Sequence, residues 1–494
     1  MTTRRLVVWI AFLAIFAMAI QVSVDTDTWW HLRAGQWIVE HQQVPQVDPF
    51  SYTRAGAPWQ YPGWLVEAPM YWIYRLAGPG GLNLWTAVMV TLAFAFVWLS
   101  LSGGPFLRAF ALVGAAVVSA IYWAARPYLV TFLLAAVFLW VLEDFRWRRG
   151  NRLWLLPPLM VVWANSHGGF AAGFLLWGVY AAGEVLGPGL EWLAGLRGKG
   201  AGGGPRPAAP SARLAWLAGI GLLMVLAVGL NPSGPVMLLY PLKTVEIDAL
   251  RSYIQEWQPP DFRSLRVQPF AWMLLLTLGA VGASRRRLAL TDFLLLAGFA
   301  YLGLLAVRNI ALFALVAPLI LTRHAAAVQE RLERVFRRHP QPRAPALPGR
   351  SFYALNYALL AVLILAVLFK TLTVLPAQAN QREFQKNLPV QAVEFLRKNQ
   401  PPGRLFNSYN WGGYLLFELP QYPVFVDGRT DLYDDELVAE WLQVMRADGG
   451  WPAVLDRWGV RLILVEPETA VVGQLAEHGW RLLYQDNVAV LYGR

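Results

Sequence analysis

The first residues able to do chemistry stand together at Asp25-Thr26-Asp27-Thr28-Trp29-Trp30-His31. Two carboxylates two residues apart can share a hard divalent cation through their oxygens, leaving water and a substrate phosphate in its remaining positions. Equally, one carboxylate held near a hydroxyl and partly desolvated serves as a general base. The spacing leaves both readings open, and His31 is either a third ligand or a hydrogen-bonded neighbour. A zinc site is not indicated, because no histidine pair has usable ligand spacing.

Groups of matching chemistry recur where apolar runs break: Arg126-Pro127-Tyr128, Asn165-Ser166-His167-Gly168-Gly169, Asn231-Pro232, and Arg308-Asn309, with a long polar stretch carrying Glu246, Asp248, Glu256-Trp257 and Asp261. An arginine fork fits phosphate oxygens and stabilises charge growing on a departing phosphate. Arg126, His167 and Arg308 are therefore candidates for holding an anion, with His31, Asn165 and Asn309 beside them and Glu256 a reserve base. Any one of these alone reads as a solvated or snorkelling helix end. The set argues for a site.

The elements that must position them are membrane spans. The chain of 494 residues is 56% hydrophobic and only 15% charged, with mean hydropathy +0.40, too apolar for an ordinary soluble protein. Leu6 to Val24 is apolar apart from Gln21 and Ser23, enough to cross a bilayer core of about 30 Å and deliver Asp25 and Asp27 to its surface. About eleven spans follow from such runs, near 6–24, 82–101, 107–125, 127–143, 153–166, 169–187, 213–230, 269–283, 289–307, 309–322 and 352–370. With Arg4 and Arg5 cytoplasmic, the alternation puts the basic connections around Arg108, Arg146 to Arg152, Arg197 to Arg213, Arg285-Arg286-Arg287 and Arg323 to Arg350 on the cytoplasmic side. The net charge of +11 is thus topological and excludes nothing but a nucleic-acid groove, which no cluster forms. The same alternation gathers Asp25, Asp27, His31, Arg126, His167, Glu256 and Arg308 on the outer face.

Arg4-Arg5 and Ala17-Met18-Ala19 resemble a cleavable signal, but the apolar run continues past them and suits a retained anchor. Leu65 to Ala77 reads as an interfacial helix with Glu67 and Arg75 wet, and Trp29 to His41 as another. Gly198 to Pro210 is a Gly/Pro/Ala linker, and Gln329 to Arg338 a basic amphipathic piece lying on anionic lipid. The absence of cysteine rules out disulfides and thiolate chemistry.

The composition changes near 376, dividing a transmembrane domain, 1–375, from a soluble one, 376–494. The latter alternates helix-like pieces (Val390 to Lys398, Trp411 to Leu419, Leu432 to Met445, Thr469 to His478) with strand-like ones (Arg404 to Phe406, Val424 to Val426, Arg461 to Val465, Arg481 to Tyr484, Val488 to Tyr492). That is a small α/β domain on the outer side. Within it, Asn410-Trp411 and Asp427 with Arg429 suit stacking on a sugar ring and bonding its hydroxyls, or equally a helix cap, a packed Trp and a turn.

A carboxylate just after the first span, a large first outer loop, many spans and an outer C-terminal domain resemble the GT-C superfamily of membrane glycosyltransferases. More narrowly, Asp27-Thr28-Trp29-Trp30-His31-Leu32-x-x-Gly35, Pro45-x-x-Asp48-Pro49-Phe50-Ser51, Trp163-Ala164-Asn165-x-His167-Gly168-Gly169, Asn410-Trp411-Gly412-Gly413-Tyr414 and Val426-Asp427-Gly428-Arg429 are similar to a group of bacterial GT-C-like membrane proteins. The resemblance implies inverting transfer of a sugar from a polyprenyl-phosphate carrier to a glycan, lipid or protein acceptor outside the cytoplasm, in the bacterial inner membrane. It puts the base or metal-site acid at Asp25 or Asp27, with Asp48 as a second acid and magnesium or manganese as the cation. The tryptophan-rich signature of oligosaccharyltransferases is absent from the C-terminal domain, so the resemblance does not extend to transfer onto an Asn sequon. A lipid or solute transporter and a non-catalytic glycan-binding scaffold are the alternatives; spans nearly free of charge in their middles count against the transporter.

Overall fold

The computed structural model describes residues 1–147, 150–193, 210–246, 254–336 and 350–494. Helix α1 (Thr3–Ala19) starts where the Thr2 hydroxyl accepts from Arg5 N. It stops five residues short of the expected end. From Gln21 to Val24 polar and β-branched residues alternate, a period that favours extended chain over helix. Asp25 and Asp27 therefore sit beyond a short extended segment. Helix α2 (Thr28–His41) opens at Asp27 and closes on Gln42, whose φ is 54°.

Helix α3 (Trp64–Ser100) is continuous in hydrogen bonding but broken at Gly78, with φ 61° and ψ −160° and Pro79 following. That left-handed φ is one glycine adopts freely. The break separates a short segment under the first loop from the apolar span after it, as expected from the sequence. Glu67 departs from expectation: it is fully buried, whereas Arg75 is exposed.

Helices α4 (Pro105–Ser119) and α5 (Tyr128–Arg146) follow, then helices at Leu156–Ala164, Ala171–Leu193, Pro210–Val228, Gln268–Ser284, Leu290–Leu305, Ile310–Phe336 and Arg350–Val374. Among the described residues, six helices are long and apolar enough to cross a membrane, and four shorter apolar helices accompany them. The expected amphipathic piece from Gln329 is no separate element, since the helix from Ile310 runs unbroken through Phe336; its last two residues lie outside the described ones. So do Asp248 and the linker up to residue 209.

One α5 length from Arg126, roughly 27 Å at 1.5 Å per residue, the bundle is tied by a buried ion network. Arg323 reaches Glu143 at 2.6 Å and also Asp292, Arg146 reaches Asp292 at 2.5 Å, and the Tyr180 hydroxyl donates to Glu143 at 2.7 Å. Arg146 and Arg323, read from sequence as loop charges, thus join three helices.

The C-terminal domain holds a four-stranded sheet, β1 (Arg404–Asn407), β2 (Val460–Val465), β3 (Arg481–Gln485) and β4 (Val490–Gly493), in the order β1-β2-β4-β3. The β1–β2 pair is parallel and is joined by a helical crossover; β4 runs antiparallel to both its neighbours. Val424 to Val426 is not a strand of this sheet. Its backbone bonds go elsewhere: Val424 O accepts from Tyr52 N of the first loop, and Phe425 N donates to the Asn407 side chain.

Candidate active site

Arg126, on the turn before α5, is the point where separate segments meet. Its Nη1 donates to Asp27 Oδ2 at 2.6 Å, and its Nη2 reaches Asp25 Oδ2 at 3.0 Å and Glu256 Oε1. A planar fork with terminal nitrogens on both arms can serve several carboxylates at once. Tyr122 supports the arrangement by donating to Glu256 Oε2 at 2.7 Å. The Thr28 hydroxyl ties the start of α2 to the same turn through Ala125 O at 3.1 Å.

The two aspartates do different work. Asp25 Oδ1 accepts from Asp27 N at 3.0 Å and Thr28 N at 3.2 Å, so this carboxylate shapes the first turn of α2. Both of its oxygens are taken. Asp27 spends Oδ2 on Arg126, while Oδ1 lies against Gly428 of the C-terminal domain, where a Cβ would stand only 2.1 Å away. Burial pushes the Asp27 carboxyl up to about 7, opposed by Arg126 and reinforced by Asp25, Glu256 and Asp427. Burial would raise Glu256 as well, but Arg126, the Tyr122 hydroxyl and Arg308 outweigh it and hold Glu256 below the usual range.

His167 Nδ1 accepts from Gly169 N at 3.0 Å and lies 2.9 Å from the Thr131 hydroxyl, whose oxygen already receives the Trp163 indole N–H at 2.8 Å. Thr131 must then donate, and the imidazole proton resides on Nε2. Burial, with Arg308 and Arg126 nearby, lowers His167 to about 3, so the ring is neutral. Arg308 is half-buried, its guanidinium 4.2 Å above the Trp257 ring. Among the described residues it forms no salt bridge, and its charge acts on Glu256 and His167.

Other expected site residues are used by the protein itself. The Asn165 side chain accepts from Trp64 Nε1 at 2.8 Å and from Asn231 Nδ2 at 3.3 Å, and donates to Val161 O at 2.8 Å. Asn309 donates to Leu302 O at 2.9 Å and closes its own turn. Asp48 receives Arg429 Nη1 at 2.6 Å and the Phe50 and Ser51 amides, and Asp427 holds Arg429 Nε at 2.8 Å and the Tyr433 hydroxyl at 2.7 Å. These charges are wholly enclosed, so Asp48 is placed as a fastener of the first loop, not as a ligand to a shared cation. Asp427 and Arg429 are sealed from any acceptor sugar. Trp411 is buried with Nε1 on Asn387 O at 3.3 Å, while Asn410 is exposed.

The residues do not form a cage for a divalent cation. The Arg126 nitrogens occupy the space between the carboxylates, and among the described residues no three acidic or imidazole groups come together to hold a metal.

Sequence reading missed Tyr122, Thr131 and Glu67. Nothing in the local sequence marks the first two, but Glu67 is the single carboxylate in Trp64–Ser100 and its isolation was a signal.

No family model and no curated protein matches the chain. Solved structures do. The oligosaccharyltransferase of Archaeoglobus fulgidus, tethered with an acceptor peptide containing the NVT sequon, is 13% identical with TM-score 0.54, over 94% of this chain and 69% of that one. The arabinofuranosyltransferase AftD from Mycobacteria is 15% identical with TM-score 0.50, over 100% of this chain and 40% of that one. ArnT from Cupriavidus metallidurans is 14% identical with TM-score 0.47, over 99% and 97%. The fold is that of the GT-C membrane glycosyltransferases. It is a multi-pass membrane fold with the first loop and a small sheet domain packed together at one end.

Proposed function

We propose that the protein is an inverting membrane glycosyltransferase that takes its sugar from a polyprenyl-phosphate carrier and passes it to a hydroxyl on the non-cytoplasmic face of the bacterial inner membrane. The observation that carries this reading is the meeting of Asp27, its carboxyl raised to about 7 and its side chain a quarter exposed, with Arg126 and Glu256, while Arg308 acts on Glu256 and His167 from its place over Trp257. Asp27 Oδ1 takes the acceptor's proton. The acceptor oxygen bonds to the anomeric carbon from one side as the bond from that carbon to the phosphate oxygen breaks on the other. The departing phosphate collects the negative charge, which Arg308, Arg126 and the His167 Nε2–H stabilise. The lipid tail stays between helices throughout, which is why the site lies at the ends of spans. No step runs through a metal ion.

The test is transfer from a panel of polyprenyl-phosphate sugars by the protein in proteoliposomes. Asp27→Asn is expected to lower kcat by at least about 100-fold, the usual worth of a general base, while donor binding persists. Wild-type rates in that variant would remove the reading. A scaffold or transporter would show no transfer to lose.

A further inference from the structure

One turn along α2 from Asp27, His31 lies against Trp30 with ring centroids 3.5 Å apart and planes tilted by 33°, and its Nδ1 stands 2.5 Å from Glu67 Oε1. Glu67 has no accessible surface, pairs with no Lys or Arg among the described residues, and leaves Oε2 without a partner. Two polar atoms of the same first loop, Trp59 Nε1 and the Tyr61 hydroxyl, are likewise enclosed and without a hydrogen-bond partner among the described residues. An ionised carboxylate in such a place would be an uncompensated buried charge, so Glu67 keeps its proton. The imidazole Nδ1 within reach accepts a hydrogen bond from that carboxyl O–H, which uses the Nδ1 lone pair and leaves the ring proton on Nε2.

Among the described residues His31 Nε2 forms no hydrogen bond, and in a ring that is mostly buried it is not wholly enclosed as Glu67 Oε2 is. Its titratable neighbours besides Glu67 are Arg126 and His167, and burial, with Arg126 and any charge on His167 adding to it, holds the ring well below its ordinary value. His167 reaches the same tautomer by a different route, through Thr131 and Gly169.

We propose that Glu67 is a positioning residue that fixes His31 as its Nε2–H tautomer, so that His31 and His167 together offer two neutral N–H donors to the phosphate of the lipid-linked donor beside Arg126. Neutral donors suit the chemistry. A phosphate only accepts hydrogen bonds, and an imidazolium next to Asp27 would favour the ionised carboxylate and blunt it as a base. The ligand rests on the glycosyl-transfer reading, whereas the tautomer does not.

The experiment is solid-state NMR of the full chain in bilayers with 15N-labelled histidine, His31 being assigned by the signal lost in His31→Gln. The expected spectrum shows a neutral ring, bare at Nδ1 and protonated at Nε2. In the transfer assay Glu67→Leu is expected to raise KM for the donor about 10-fold or more, as for a hydrogen bond to a charged group. Glu67→Gln, whose amide N–H still donates to Nδ1, should recover most of that loss. A His31 protonated at Nδ1, or equal KM values in the two variants, would overturn the proposal. Loss of transfer in Asp27→Asn alongside a wrong His31 tautomer defeats this inference alone. Absence of wild-type transfer defeats the glycosyltransferase reading and leaves the tautomer to the spectrum.

Discussion

At the scale of single residues, Asp25 and Asp27 have the same side chain and are separated by what each oxygen touches. Asp25 gives its second oxygen to the amides at the start of α2, and Asp27 leaves Oδ1 without a hydrogen bond among the described residues, against Gly428. A base must be ionised to act, and the Asp27 carboxyl is raised to about 7. The expected pH profile of kcat/KM is therefore level above 7 and falls about tenfold per unit below it. A profile already level at pH 5 would mean that Asp27 is not the base. The sequence offered two candidate acids here but could not choose between them. The choice depends on Arg126, 99 positions away, and on Gly428 in another domain.

At the scale of elements, most of the apolar helices were legible because apolar length is a local property, while their number as spans and their ends were not. The break of α1 at Ala19 and the loss of a strand at Val424 to Val426 both depend on partners distant in sequence. The C-terminal helix Tyr409–Glu418 lies on α2, where Trp29 meets Tyr414 at 4.9 Å and Phe417 at 5.7 Å between ring centroids. This docking brings Gly428 onto Asp27. The Asp-Gly-Arg motif was visible, yet its glycine matters for the space it leaves and not for a turn. Gly428→Ala puts a methyl 2.1 Å from Asp27 Oδ1, so the carboxylate must move by about 1 Å. A misplacement of that size costs on the order of 100-fold in rate. Kinetics and thermal melting on the same sample check this: transfer should fall steeply with melting little changed, and a normal rate would show that Asp27 has room to spare.

At the scale of the whole molecule, the first loop and the C-terminal domain form one body through Arg429. Its guanidinium bridges Asp48 at 2.6 Å to Asp427 at 2.6 Å, and all three side chains are fully enclosed. Phe50 and Trp59 of the loop flank it at 5.1 and 4.9 Å. The sequence showed these charges as motifs, and motifs of charge next to tryptophan invite a sugar-binding reading; burial decides otherwise. Arg429→Met removes the cation and leaves two carboxylates facing each other in a dry interior, a loss of about 3–5 kcal/mol for a broken buried pair. Melting should drop, limited proteolysis should open the chain between the last span and β1, and transfer should fall because the surface holding Asp27 in place loosens. A sugar-binding Arg429 predicts the reverse pattern. The acceptor's KM would rise while melting and proteolysis stayed as in the wild type, so the two roles are told apart by stability, measured without any substrate.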